Sequence, residues 1–191
     1  RNLSGNWWTY HKKLGATHSL RLDTDSTAYD DSVIFNDTAP TADVVSIGTY
    51  SDVNRNTGTF LCYAFHSVDG YSKVGSYTGN GSTDGPFVYT GFKPKYIMWK
   101  CSSNAGLEWI IQDTARQTYN AAPANAYNLS ANRSSEENNS TYLGGPANAN
   151  NIDWLSNGFK LKYNNGNANT SGYTYIYIAF AETPFKYSNA R

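Results

Sequence analysis

Two aromatic heptapeptides constrain the fold of this chain more than any other feature. Residues 59–65 read TFLCYAF, and residues 174–180 read TYIYIAF. Aromatic and β-branched side chains suit the pleated, half-buried surface of a sheet. Similar segments flanked by further matches at nearly the same spacing are also the signature of a duplicated structural unit. The heptapeptides therefore predict a β-protein in which one unit occurs twice.

Other landmarks extend the similarity between the two halves. They occur in the same order in both: Trp7 or Trp8 against Trp109, Val45 and Ile47 against Phe159 and Leu161, and residues 56–58 against residues 170–172. Together they predict two related modules. Residues 1–69 form a truncated first β module, and residues 70–191 form a complete second one.

A strand at the front of the second module has no counterpart in the first. Residues 91–100 read GFKPKYIMWK, a pattern typical of a strand entered through a proline. The opening residues 1–6 already align near the loop that follows this strand. An open sheet edge would invite aggregation. We therefore expect upstream residues or another chain to complete the first module.

Composition favours an all-β fold. Aromatic residues make up 15% of the chain, while charged residues reach only 16%, against a typical share of about a quarter. We expect an antiparallel β-sandwich or a jelly-roll-like arrangement. Between the modules, alternation over residues 71–77 predicts a paired strand, and Asn80-Gly81 predicts a tight hairpin.

The charge balance excludes some classes of partner. The 15 basic and 15 acidic residues cancel, so nothing in the composition favours binding to nucleic acid. Apolar runs such as residues 176–181 are far shorter than the roughly 20 residues that span a bilayer. We expect a soluble protein that neither binds nucleic acid nor inserts into a membrane, without an export signal in this sequence.

The two cysteines do not indicate a disulfide framework or a metal site. Cys62 lies in the heptapeptide 59–65, which predicts a buried strand and an inert thiol in the core. A bond between Cys62 and Cys101 stays open as an alternative.

No pattern of catalytic residues is recognisable. Neighbours on a strand point to opposite faces, so Asp30-Asp31 and Glu136-Glu137 cannot act as a pair by adjacency. Motifs for a nucleophile elbow or a phosphate-binding loop are missing. The three histidines are His11, His18 and His66, and no Asp or Glu has ligand spacing to both His11 and His18. We therefore expect no enzyme activity, no catalytic residues, no cofactor and no metal.

A long polar stretch over residues 114–151 contains the candidate binding residues. Stretches of this length with weak periodicity often carry binding. Tyrosine rings stack on sugar rings, so we predict Tyr119, Tyr127 and Tyr142 as glycan-binding residues. The alternative is a solvated loop with a short strand around residues 126–129.

The order of several motifs resembles a module of tailed-phage proteins. These motifs are YTGNGS (residues 77–82), GFKPKYIMWK (91–100), DTAR (113–116), SNGFKL (156–161) and TSGYTYIYIAFAE (170–182). Such β-rich repeat modules of unknown function lie near the C-terminus of tail-fibre-like virion proteins in marine and cyanobacterial phages. The resemblance covers residues 70–191 and implies a place on the phage particle surface, with no enzyme chemistry to carry over.

The sequence thus predicts a non-enzymatic structural component of a phage virion: a tail fibre, head fibre or decoration protein. The resemblance and the truncated first module together predict a homo-oligomer, with a trimer as one option, that contacts other virion proteins and a host surface glycan. Two alternatives remain. One is a lectin-like carbohydrate-binding module, and the other, less favoured, is a polysaccharide depolymerase.

Overall fold

The computed structural model describes residues 4–116, 127–137 and 152–183. These residues form strands β1 (Trp8–Thr9), β2 (His18–Arg21), β3 (Tyr29–Asp30), helix α1 (Ser51–Asn54), and strands β4 (Ser72–Thr78), β5 (Phe87–Tyr89), β6 (Pro94–Cys101), β7 (Trp109–Asp113), β8 (Leu129–Ser130), β9 (Ile152–Leu155), β10 (Gly158–Leu161) and β11 (Thr174–Ala181). The expected all-β fold is confirmed.

The described strands form three antiparallel sheets. The largest has the order β4-β11-β6-β7-β8, and the two smaller sheets have the orders β5-β10-β9 and β1-β2-β3. The predicted strands at the two ends of the second module are confirmed as β6 and β11. They pair with each other over most of their length.

The main core lies between the five-stranded sheet and the sheet β5-β10-β9, which makes the two a β-sandwich. Side chains alternate along each strand, so Tyr175, Tyr177 and Ala179 of β11 share the inner face, and each is at most 4% exposed. Tyr177 meets Phe159 of β10 edge to face, with the ring centroids 5.5 Å apart. These contacts hold the two sheets together.

One end of the sandwich is closed by a buried asparagine. The Asn169 side chain donates to Asn80 Oδ1 at 3.1 Å and to the Ser82 carbonyl at 2.7 Å, and it accepts from the Asn80 backbone N–H at 2.9 Å. Gly81 takes the turn conformation with φ 70°. The turn is therefore real, but the predicted hairpin is wrong, because the strands on its two sides belong to different sheets.

Residues of the first half pack on the outer face of the five-stranded sheet. Leu20 of β2 lies in a small apolar cluster with Trp109 of β7 and Ile176 of β11. The Trp109 indole N–H also donates to the Arg21 carbonyl at 2.8 Å. The two predicted modules are thus in direct contact. Their division at residues 69 and 70 stays a prediction.

The heptapeptide 59–65 does not behave like its counterpart. It forms no strand in the structure, and Cys62 is exposed rather than buried, so the predicted core thiol is wrong. The physical reason is that no described strand lies alongside it to pair with its backbone. Cys101 is buried, and both cysteines are free thiols, so the alternative disulfide is not formed.

Candidate functional site

The outer face of the five-stranded sheet is only partly covered. Along β11, Ile176 is 1% exposed beneath the first half of the chain, whereas Ile178 and Phe180 on the same face are partly exposed. Strand pairing places Met98 beside Ile178 and Tyr96 beside Phe180. An apolar strip therefore extends beyond the covered part of the sheet.

This strip lines an open apolar cavity of about 260 Å³. Its walls are Phe65, Tyr96, Met98, Ile178 and Phe180. The Phe180 ring contacts the rings of Phe65, Tyr71 and Tyr96 at centroid distances of 5.8, 6.0 and 6.0 Å. With no charged side chain in its lining, the cavity suits an apolar group and not a reaction that needs acid or base.

Residues 60–65 border the cavity, and their backbone has no partner among the described residues. Within the described ranges, these six residues make no backbone hydrogen bond. Their large apolar side chains are exposed to solvent: Leu61 is 55%, Tyr63 68% and Phe65 61% exposed. We define the apolar patch as residues 60–65 together with the cavity-lining residues of β6 and β11.

A second cavity of about 430 Å³ is basic. Three lysines line it, together with Ser67 and residues of β4 and β11; the lining is Lys12, Lys13, Ser67, Lys73, Val74, Gly75, Ser76 and Tyr177. Since Phe65 lines the apolar cavity and Ser67 the basic one, residues 65–67 lie between the two. No acidic residue is part of the basic lining.

A buried histidine anchors the turn that carries two of these lysines. His11 Nδ1 accepts the Lys13 backbone N–H at 3.2 Å, and Nε2 lies 3.4 Å from the Tyr177 carbonyl oxygen. The ring proton is therefore assigned to Nε2. Burial lowers the pKa of His11 against the opposing effect of the Tyr177 hydrogen bond, and the charge of Lys13 lowers it further. His11 is thus a neutral structural anchor at the edge of a positively charged cavity.

A separate group of charges surrounds the buried side chains of Glu108 and Lys100. Glu108 is ion-paired with Arg133 at 2.8 Å, and Arg133 also reaches Asp25 at 3.4 Å. Lys100 is fully buried, and burial lowers its pKa to about 8. Glu108 and Arg133 contact each other, and Lys100 donates to backbone carbonyl oxygens. We therefore interpret these charges as structural and not as a reactive site.

The structure describes one of the three predicted glycan-binding tyrosines, so that site stays a prediction. Tyr127 is 38% exposed just before β8 and lines neither cavity. Tyr119 and Tyr142 lie outside the described residues. A short strand, β8, does occur near the alternative position, at Leu129–Ser130.

The sequence interpretation missed the basic cavity altogether. Its lysines come from the turn after β1 and from β4, so only the packing of the two halves brings them together. The adjacent pair Lys12-Lys13 lacks a neighbouring acidic residue. This unbalanced pair of lysines was the sequence signal for a basic site, and it is a weak one.

Residues 4–116, 127–137 and 152–183 contain neither a candidate metal site nor a candidate membrane-spanning helix. Among those residues, no three His, Cys, Asp or Glu side chains are grouped so that they could hold a metal ion. Nor does any described helix have the length and apolarity needed to cross a membrane.

Comparison with known proteins gives a family without an assigned activity. The family model described as "Domain of unknown function (DUF7483)" matches residues 1–184, and so spans both predicted modules. Neither the curated proteins nor the solved structures contain a match. Because the family model covers nearly the whole sequence, the chain belongs to the DUF7483 family.

Proposed function

We propose that this chain is a non-enzymatic structural component of a phage virion, a tail fibre, head fibre or decoration protein, which assembles with copies of itself at the particle surface. The apolar patch is the observation that most supports this self-assembly. The resemblance of residues 70–191 to tail-fibre-like modules supports the phage setting, and it also supports contacts with other virion proteins.

The size of the exposed apolar surface supports a binding partner. The exposed fractions are 37% for Phe60, 55% for Leu61, 68% for Tyr63 and 61% for Phe65. With about 200 Å² for each fully exposed side chain, they amount to roughly 450 Å². That lies within the range of the largest apolar patch on a typical monomer, about 300–600 Å², and such a patch is often a binding site. Here the side chains also belong to one segment whose backbone makes no hydrogen bond within the described part of the chain, and such a segment is suited to strand addition.

A second copy of the chain is the partner that fits this segment. Antiparallel pairing about Cys62 places Phe60 opposite Ala64 and Leu61 opposite Tyr63, and residues 56–65 contain no charge that would oppose a like charge. Such an interface is self-complementary, as a two-fold axis requires. Two copies of the segment would bury roughly 900 Å² of side chain. Contacts with the neighbouring cavity would bring the total toward the 1,200 Å² or so of a stable interface.

Light scattering coupled to size exclusion tests the assembly. We expect the unmodified chain to form an oligomer and the double variant Leu61→Glu/Tyr63→Glu to be a monomer, because charges would be buried in the interface. The matched control is Tyr89→Glu, at a tyrosine on β5 that is 60% exposed. It should leave the oligomer intact.

Two results would overturn the assembly proposal. One is a monomeric wild-type chain at the highest concentration reached, and the other is an unchanged oligomer in the double variant. The virion setting has its own test: an antibody against the chain should label intact particles of the phage that encodes it. Particles that contain none of the protein would contradict that setting.

A further inference from the structure

The basic cavity brings together three lysines that have no ion-pair partner among the described residues. Three other described lysines are ion-paired: Lys93 with Glu182 at 2.9 Å, Lys160 with Asp84 at 2.5 Å and Lys162 with Asp153 at 3.5 Å. By contrast, the three lysines of the basic cavity form no ion pair within the described ranges. In a chain with no net charge, this is a local excess of positive charge.

The backbone that carries these lysines is well fixed. The turn after β1 is held by two hydrogen bonds to the His11 carbonyl, from the N–H groups of Leu14 at 2.9 Å and Gly15 at 3.2 Å. Lys73 lies on β4, which pairs with β11 along its length. Ser67 Oγ accepts the Val74 N–H at 2.9 Å, which fixes the third wall. A pocket on such a framework is largely preformed, and a preformed pocket reduces the entropic cost of binding.

The charge arrangement favours an anion. The positive field is already felt by His11, whose pKa Lys13 helps to lower. Three lysines line this cavity, and an anion bound among their ammonium groups would form charge-assisted hydrogen bonds. The serine hydroxyls of the lining can donate and accept hydrogen bonds, as sugar hydroxyls require.

We propose that Lys12, Lys13 and Lys73 form a binding site for an acidic sugar, whose carboxylate or sulfate lies among the three ammonium groups. Ser67 and Ser76 would bind hydroxyls of the same sugar. The cavity volume of about 430 Å³ lies within the range of small-ligand sites, roughly 300–1,000 Å³. The site is independent of the apolar patch, so it stands whether or not the chain assembles.

Calorimetric titration of the full chain tests this site with defined probes. An acidic oligosaccharide, such as a short oligogalacturonate or a sulfated heparin fragment, should bind and should weaken as salt increases. An uncharged maltooligosaccharide of equal length should not bind. Inorganic sulfate should bind at least about tenfold more weakly than the sulfated fragment, since it lacks the sugar contacts.

Charge-matched variants separate this site from general electrostatic attraction. The triple variant Lys12→Ala/Lys13→Ala/Lys73→Ala should lose about tenfold or more in affinity. The triple variant Lys93→Ala/Lys160→Ala/Lys162→Ala removes the same charge elsewhere and should retain binding within about twofold. Lys73→Gln alone should weaken binding by a smaller factor, and it serves if the triple variant does not fold.

Three outcomes would overturn the proposal. They are no binding of either acidic probe, equal losses in the two triple variants, and binding of sulfate as tightly as the sulfated fragment. Binding should persist in Leu61→Glu/Tyr63→Glu, so a failure of assembly and a failure of this site are distinguishable.

Discussion

Replacement of Lys100 by methionine should remove a specific pH dependence of stability. Lys100 lies on the outer face of β6 with no exposed surface. Its ammonium group donates to the carbonyl oxygens of Cys101 at 2.9 Å and Asp25 at 3.4 Å. Burial lowers its pKa from 10.5 to about 8, an effect only partly offset by Cys101, Asp25 and Glu108.

The direction in which the free energy of unfolding changes with pH follows from the number of protons that the folded and unfolded chains bind. Between pH 8 and 10.5 the unfolded chain keeps the Lys100 proton and the folded chain releases it, so the free energy of unfolding rises with pH in this window. For those two pKa values, the Lys100 contribution becomes about 2 kcal/mol more favourable between roughly pH 7 and 9.5. Methionine, similar in length, cannot titrate and contributes no such change.

Urea unfolding of the wild-type chain and Lys100→Met at these two pH values measures the effect. The difference between their free energies of unfolding should shift by about 2 kcal/mol in favour of the wild type at the higher pH. The tyrosines cancel in this comparison because both proteins contain them, and burial raises the pKa of Tyr175 and of Tyr177 to about 12. Parallel pH profiles for the two proteins would refute the reasoning.

Three shorter predictions follow from other contacts. Asn169→Ala should lower the free energy of unfolding by about 2–3 kcal/mol, because it removes three hydrogen bonds made by a fully buried side chain; a loss below about 0.5 kcal/mol in urea would contradict this. Gly75→Ala should lower the melting temperature, since the new Cβ would meet the Tyr177 ring at 2.6 Å, and an unchanged melting temperature would mean that the ring moves aside freely. In a Cys101→Ser background, mild oxidation should link Cys62 between copies, as gel electrophoresis without reductant can detect. If the double variant Leu61→Glu/Tyr63→Glu formed the Cys62 disulfide to the same extent, ordered pairing of this segment between copies would be contradicted.

The local sequence pattern was enough to predict β6 and β11, which are inner strands of the five-stranded sheet. Alternating aromatic and aliphatic residues in β6 and β11 meet partners on both sides, so local preference and tertiary structure agree. Residues 59–65 have nearly the same composition, yet they form no strand. Strand formation depends on the neighbours that the segment meets, and no described strand lies alongside residues 59–65 to pair with them.

Long-range contacts explain the other differences between sequence and structure. The Asn80-Gly81 signal located a turn correctly, but Asn169, which is distant in sequence, holds that turn and directs the chain into another sheet. The basic cavity likewise joins Lys13 to Lys73 through packing of the first half on the sheet. Such juxtapositions leave no periodic pattern that local reasoning could detect.

Amide hydrogen exchange most directly tests whether residues 60–65 pair between copies. Paired strand amides exchange slowly, whereas unpaired exposed amides exchange almost at the rate of an unfolded chain. In the wild-type oligomer, peptides that cover residues 60–65 should be protected, and in Leu61→Glu/Tyr63→Glu they should exchange fast, while β11 stays protected in both. Fast exchange of residues 60–65 in a wild-type oligomer would contradict the assembly through this segment.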